Sequence, residues 1–278
     1  APGADEGPRF VPIDGKTVRG SYTEADKSNP LHLVSAWATK QGITLGQVAT
    51  DQKSNEITAI PRLLELLVLK GCIVTIDAMG CQSKISEQIV TAAGDYVLAL
   101  KGNHSTLAEE VEEAFIDADA RDYAGLDTQV VETRERAHGR VETRRYRTLG
   151  NLEGVPRSAL WTGLNMIGMV ESQREVDGKL STEVRFYIGS TGTDAGRFAR
   201  AVRTHWGIEN DLHWSLDVAF REDESRLRDP QARENFAVLR HIALNLLKRE
   251  TSAKRRSLKG KRKKAAWDEA YLLKVLTG

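Results

Sequence analysis

The stretch "GCIVTIDAMGCQ" (residues 71–82) decides how this chain is read. Residues 72–76 form a short apolar run between Gly71 and Gly80, the pattern of a buried strand, and the run ends on Asp77. An unpaired buried charge is costly, so a carboxylate in that place needs water, a partner or a metal. Asp is also an ordinary residue at strand-to-loop turns. A second stretch weighs against the ordinary explanation. In "RFVPIDGKTVRGS" (9–21), Phe10, Val11 and Ile13 form another apolar run that reaches an acid, Asp14, followed by Gly15. Two strands ending in Ile-Asp would bring two carboxylates to one sheet edge, an all-oxygen arrangement suited to hard divalent cations. A third carboxylate from elsewhere would complete a site for Mg²⁺ or Mn²⁺.

Composition sets the limits. The chain has 278 residues, of which 40% are hydrophobic and 28% charged, enough for one large domain or two modest ones. No apolar run approaches the ~20 residues of a membrane span, and no secretory signal is visible. Residue 1 is Ala rather than Met, so an N-terminally shortened chain is expected. Two cysteines, Cys72 and Cys81, do not make a zinc spacing. They fit a reducing cytoplasm better than a disulfide scaffold. The net charge is +1, yet "KRRSLKGKRKK" (254–264) holds eight Lys or Arg and no acid. Such a block is either a solvated segment or a phosphate-binding patch.

The pattern predicts strands at 9–14, 31–38 and 43–50, and then a helix in "SNEITAIPRLLELLVLKG". Ser54 is its candidate cap, Glu56 and Glu65 its exposed acids, and Gly71 closes it. The strand ending at Asp77, a helix at 83–94 and a strand at 95–102 follow. The order β-β-β-α-β-α-β is that of an α/β, RNase-H-like mixed five-stranded sheet flanked by helices, in which the first and fourth strands are central neighbours. Residues 105–120 read as an acidic amphipathic helix. Residues 125–190 alternate like strands and are taken as a β-rich insertion before the last catalytic helix. The expected division is 1–124 and 191–250 for the catalytic domain, 125–190 for the insertion and 251–278 for a basic C-terminal segment.

The third acid is sought in "THWGIENDLHWSLDV" (204–218). On an α-helix Glu209 and His213 share a face, with Leu216 continuing the stripe. An exposed Glu is the ordinary alternative, and Asp217 is a competing third ligand.

At this point the chain resembles a known family. "IDGKTVRGS", "LHLVSAWA", "KSNEITAIPRLLELL", "GCIVTIDAMGCQ", "DYVLALKGN" and "HWGIENDLHWSLDVAFREDESRLR" look like the insertion-sequence DDE transposases of the ISAs group and their H-repeat-associated relatives. The resemblance runs from about residue 10 to about 250. It implies Asp14, Asp77 and Glu209 as the catalytic and metal-binding acids. It further implies two ions, Mg²⁺ or Mn²⁺, and cleavage and strand transfer at transposon ends. Double-stranded DNA, both transposon ends and target, is the implied partner, with a homodimer on DNA and a bacterial cytoplasmic, nucleoid-associated location. A domesticated metal-dependent nuclease and a catalytically silent DNA-binding regulator are the alternatives. Relatives in the wider superfamily carry Tyr, Arg and Lys seven before, four before and seven after the catalytic Glu. Here Val202, His205 and Leu216 stand there, which leaves Arg203 or His205 as substitutes.

Three carboxylates can hold two divalent ions ~3.5–4 Å apart, one activating the attacking hydroxyl and one stabilising the leaving oxygen. For DNA contact the candidates are Lys16 and Arg19 beside Asp14, and Arg134, Arg136, His138, Arg140 and Arg144 in a predicted hairpin. Arg203, His205 and Trp206 join them, Trp206 as a base-stacking residue or as core. A hairpin held by salt bridges to Glu132, Glu135 and Glu142 is the competing reading of those arginines.

Overall fold

Arg9–Val18 runs through ten residues as one strand, β1, buried at Val11–Ile13 and again at Val18, in a computed structural model that describes residues 8–22, 29–50, 56–137, 140–176 and 178–277. Asp14 is therefore not a strand end. It sits within β1, opposite Ser35 of β2 (Leu31–Ala38), because Lys16, Thr17 and Val18 go on pairing with Leu33, His32 and Leu31. The hairpin partner β3 (Ile43–Ala49) follows β2 as expected, around Gly42 with φ near +65°. Helix α1 spans Glu56–Glu65, shorter than predicted, and the candidate cap Ser54 lies outside the described residues.

Strand β4 (Cys72–Ile76) is buried along its whole length and stops at Ile76, so Asp77 does follow a strand end. Helix α2 (Ser83–Thr91) and β5 (Asp95–Leu100) come next, with β5 parallel to β4. Helix α3 is Ser105–Ala120, as its periodicity predicts. Strands β6 (Thr128–Ala137), β7 (Arg140–Leu149), β8 (Met166–Val176) and β9 (Lys179–Gly189) form an antiparallel meander. Then come α4 (Ala195–Gly207), a π-helical turn (Ile208–His213), α5 (Trp214–Phe220), α6 (Pro230–Arg249), α7 (Leu258–Trp267) and α8 (Glu269–Thr277).

The sheet has nine strands, not the five expected, in the order β3-β2-β1-β4-β5-β9-β8-β7-β6. The reason is that β9 pairs antiparallel with β5, Val97 opposite Gly189 and Leu100 opposite Phe186. The meander thus extends the sheet instead of building a separate one.

The chain falls into two compact units. One holds the start of β1 up to Phe10 together with Val68–Thr204. Its core packs Phe198, Ala199, Ala201 and Val202 of α4 against Tyr146, Met166, Val170 and Tyr187 of the meander. Gly168 has no side chain because the Phe198 ring lies where one would stand, 2.5 Å from a Cβ placed there. The other unit holds Val11–Leu67 and His205–Gly278. There Trp37 of β2 packs with Ile208, Leu212, Leu216 and Leu244, all essentially buried. The basic block is helical: α7 is capped by the Ser257 side chain at Gly260 N–H, and Lys261 reaches the carbonyls of Leu247 and Glu250. Among the described residues no helix is long and apolar enough to cross a membrane.

Candidate active site

Asp14 is half-buried, and its Oδ2 stands 3.6 Å from Nδ1 of His213. Burial, helped by the positive charge of Lys16, pulls the His213 pKa down to about 4, so the ring is neutral at neutral pH. A carboxylate oxygen of Asp14 and one of Glu56 lie within 4.8 Å of each other. Glu56 was expected to be exposed, but it is 9% exposed. The explanation is helical phase. Glu56 shares the buried stripe of α1 with Ala59, Ile60, Leu63 and Leu64, so the helix turns it inward. That spacing was available in the sequence.

A hydrogen-bond chain fixes this acid. Glu56 Oε1 is 2.9 Å from Nε2 of His32, and Nδ1 of His32 is 2.8 Å from the Thr17 hydroxyl. A carboxylate only accepts, so Nε2 donates to Glu56, while the hydroxyl serves Nδ1 in whichever sense the ring requires. Thr17 and His32 are direct partners in the β1–β2 register. Gly15 leaves the room: a Cβ there would meet Glu56 Oε1 at 2.0 Å and His32 Nε2 at 2.6 Å.

Lys16 points into a nest of acids. Its Nζ is 2.9 Å from Asp217, 2.8 Å from Asp223 and 3.6 Å from Glu222. Burial opposes its charge, but the hydrogen bonds to Asp223 and Asp217 outweigh burial and hold its pKa above the ordinary lysine value. Glu222 is wholly buried, and burial raises its pKa despite Lys16 and Arg240, each 3.6 Å away. Arg19 is mostly exposed and touches Asp223 at 3.4 Å.

Asp77 is half-buried, and its Oδ1 accepts from the N–H groups of Met79 (3.0 Å) and Gly80 (3.3 Å). The turn is braced from the segment after β5, where Asn103 Nδ2 donates to Ala78 O and His104 Nε2 meets Cys81 O, both at 2.5 Å. His104 in turn stacks edge-on against Trp161. Burial pushes the Cys81 thiol pKa up, and the Asp77 charge adds to it, so Cys81 is an inert core thiol.

Glu209 is exposed and lies in the π-helical turn, where its carbonyl accepts from Trp214 N–H. The wider turn changes the expected facing. With i→i+5 bonding, residues four apart no longer stack, so His213 turns toward Asp14 and Leu216 is buried while Glu209 faces out. His205 and Trp206 are half-buried at the end of α4.

In the meander hairpin, Arg134 and Arg136 pair with Thr143 and Val141, and Arg140 and Arg144 pair with Ala137 and Thr133. Directly paired residues share a face, so the two pairs of arginines project from opposite faces. Arg134, Arg136 and Arg140 are exposed. Arg144 is 3% exposed and bound to Glu142 at 2.6 Å and Glu135 at 3.2 Å, and Arg203 binds Glu135 at 2.7 Å. Arg145 pairs with Glu132. His138 lies outside the described residues.

The donors around Asp14 are chiefly carboxylate oxygens, which fits a hard divalent cation. Comparison with known proteins agrees with that chemistry. The family described as transposase DDE domain matches residues 5–246. The "H repeat-associated putative transposase YhhI" of Escherichia coli K12 is 40% identical over 277 residues, covering 96% of this chain and 71% of that protein. The "Putative transposase YncI" of E. coli O157:H7 is 42% identical over 272 residues, with 96% and 68% covered. "Putative protein YbfL" of E. coli K12 is 40% identical at the same coverage as YhhI. Among solved structures, a piggyBac transposase synaptic complex with hairpin DNA superposes at a TM-score of 0.51 with 9% identity, covering 98% of this chain and 55% of that one. The likeness identifies the fold as RNase-H-like.

Proposed function

The chain belongs to the transposase DDE-domain family, and from that premise we propose that it cleaves and rejoins DNA at transposon ends with Asp14, Asp77 and Glu209 as its three acids. The family match over residues 5–246 carries this reading, since all three acids fall within it. The local setting of two of the acids supports it further: Asp14 lies within β1, and Asp77 directly follows β4.

The family implies divalent metal. We assign two ions, Mg²⁺ or Mn²⁺, to these carboxylates. When bound they would activate the attacking hydroxyl and stabilise the leaving 3′-oxygen. The chain's own residues orient and hold. Backbone N–H groups of Met79 and Gly80 fix the Asp77 carboxylate, and Asn103 and His104 brace the turn that carries it. Arg134, Arg136 and Arg140 are assigned to DNA phosphates, and Arg19, His205 and Trp206 are further DNA contacts. Lys16, Arg144 and Arg203 are engaged with acids of their own, so their contribution is to hold structure. Double-stranded DNA, as transposon ends and as target, is the partner, and a homodimer is the assembly on it.

The test is incubation of the protein with transposon-end DNA and Mn²⁺, followed by mapping of the cut ends. Specific 3′ ends joined to target DNA are expected. Cutting without joining would make the protein a nuclease, and binding without cutting would make it a DNA-binding regulator.

A further inference from the structure

We propose that Glu56 is a fourth carboxylate of the Asp14 centre, set in place by the chain Thr17–His32–Glu56. The proposal rests on the metal-centre reading above and adds a residue to it. Glu56 is buried, points inward with the apolar stripe of α1, and brings a carboxylate oxygen within 4.8 Å of one from Asp14. Two acids so close repel each other unless a cation lies between or beside them. Burial sharpens that repulsion, because little water remains to screen it.

The surroundings are built for Glu56 in this position. His32 faces Glu56 at 2.9 Å, and its other ring nitrogen is taken by Thr17 at 2.8 Å, so ring orientation is fixed from both sides. This is how outer residues hold ligating side chains in metal centres, and losing them typically weakens metal binding by about 10–100-fold. The absent side chain at Gly15 is part of the same arrangement. Its Cα lies against the Glu56 carboxylate, and any larger residue would push that group away. His32 is thus a positioning residue: it acts through Glu56.

The experiment is a titration of the full chain with Mn²⁺ alone, free Mn²⁺ being read by electron paramagnetic resonance, with folding checked by circular dichroism. Glu56→Gln keeps the shape and an acceptor for His32 but removes the charge. It should bind Mn²⁺ at least about ten-fold more weakly. His32→Ala should weaken binding similarly, and His32→Gln, which can donate from nearly the same place, should restore most of it. Asp14→Asn separates the two levels. If Asp14→Asn binds Mn²⁺ normally, the metal centre itself is wrong. If Asp14→Asn loses binding while Glu56→Gln keeps wild-type affinity, the centre stands and the role of Glu56 is overturned. If His32→Ala binds like wild type, or His32→Gln fails to rescue, the positioning role of His32 is overturned.

Discussion

The ammonium of Lys16 stands 2.8 Å from a carboxylate oxygen of Asp223, in a site where the lysine side chain is 10% exposed. Asp217 and the wholly buried Glu222 share the same cation. Lys16→Met would leave these acids without their main counter-charge. Removing one partner of a buried charge pair costs about 3–5 kcal/mol. Chemical denaturation should show a loss of that order, and Lys16→Arg should recover part of it. A stable Lys16→Met protein with impaired DNA binding would instead return Lys16 to phosphate contact.

Arg144 and the exposed arginines of the hairpin should separate in two assays. Arg144→Ala takes from the buried Glu142 its nearer cation, leaving only Arg174 at 3.6 Å, and should lower stability by about 3 kcal/mol. Arg134→Ala with Arg136→Ala should leave stability within about 0.5 kcal/mol, as for other surface changes. The double variant should bind DNA more weakly. The slope of log affinity against log salt should flatten by about 2, one for each lost phosphate contact.

Glu209 and Asp217 compete for the role of third acid, and their surroundings differ. Asp217 is held by Lys16, whereas Glu209 is exposed on the π-helical turn. Glu209→Gln should abolish strand cleavage while leaving the melting temperature and DNA binding unchanged. Asp217→Asn should lower the melting temperature and keep measurable cleavage. A nicking assay beside a thermal melt reads both, and the opposite pattern would move the third acid to Asp217.

His241 gives the fold a defined sensitivity to acid. It is buried on α6, and burial, with the positive charges of Lys16 and Arg240, lowers its pKa to about 3. Below about pH 6.5 the unfolded chain takes a proton at this residue that the folded chain refuses. Stability is therefore undiminished by His241 above pH 6.5. It then falls as pH drops toward 3, by at most about 1.4 kcal/mol per pH unit. Denaturation curves at pH 7, 6 and 5 for wild type and His241→Gln should show the smaller pH dependence in the variant.

Local pattern made much of this fold legible. The apolar run to Ile76 and the helix at 105–120 stand where periodicity puts them, and the strand predicted at 95–102 ends two residues early, at Leu100. The length of β1 was not legible, because Gly-Lys-Thr resembles a turn and only pairing with β2 keeps it extended. Nor was the sheet's extent: alternation shows that 128–189 are strands but not that β9 pairs with β5. The π-helical turn at 208–213 escaped because the residues themselves suit an ordinary helix. Asp14 and Asp77 drew notice through the composition of the runs that lead to them. The inward turn of Glu56 was missed by reading a first-turn acid as solvent-facing, although its spacing from Ile60 and Leu63 placed it on the buried stripe. His32 and Asn103 act through contacts distant in sequence, which no local spacing encodes.

Strand β6 closes one end of the nine-stranded order, and so presents a row of backbone donors and acceptors with no next strand to meet them in that sheet. A rim of that kind is a template on which other copies can stack into aggregates. Its sequence works against this. Glu132, Arg134, Glu135 and Arg136 place long charged side chains on both faces of the strand, and an incoming strand would have to strip their hydration before it could pair. The two arginines proposed to meet phosphate, together with the two glutamates, would therefore keep the protein dispersed when it is concentrated and away from DNA. Engineering this rim toward Thr and Val, however well it suited strand propensity, would trade solubility for it.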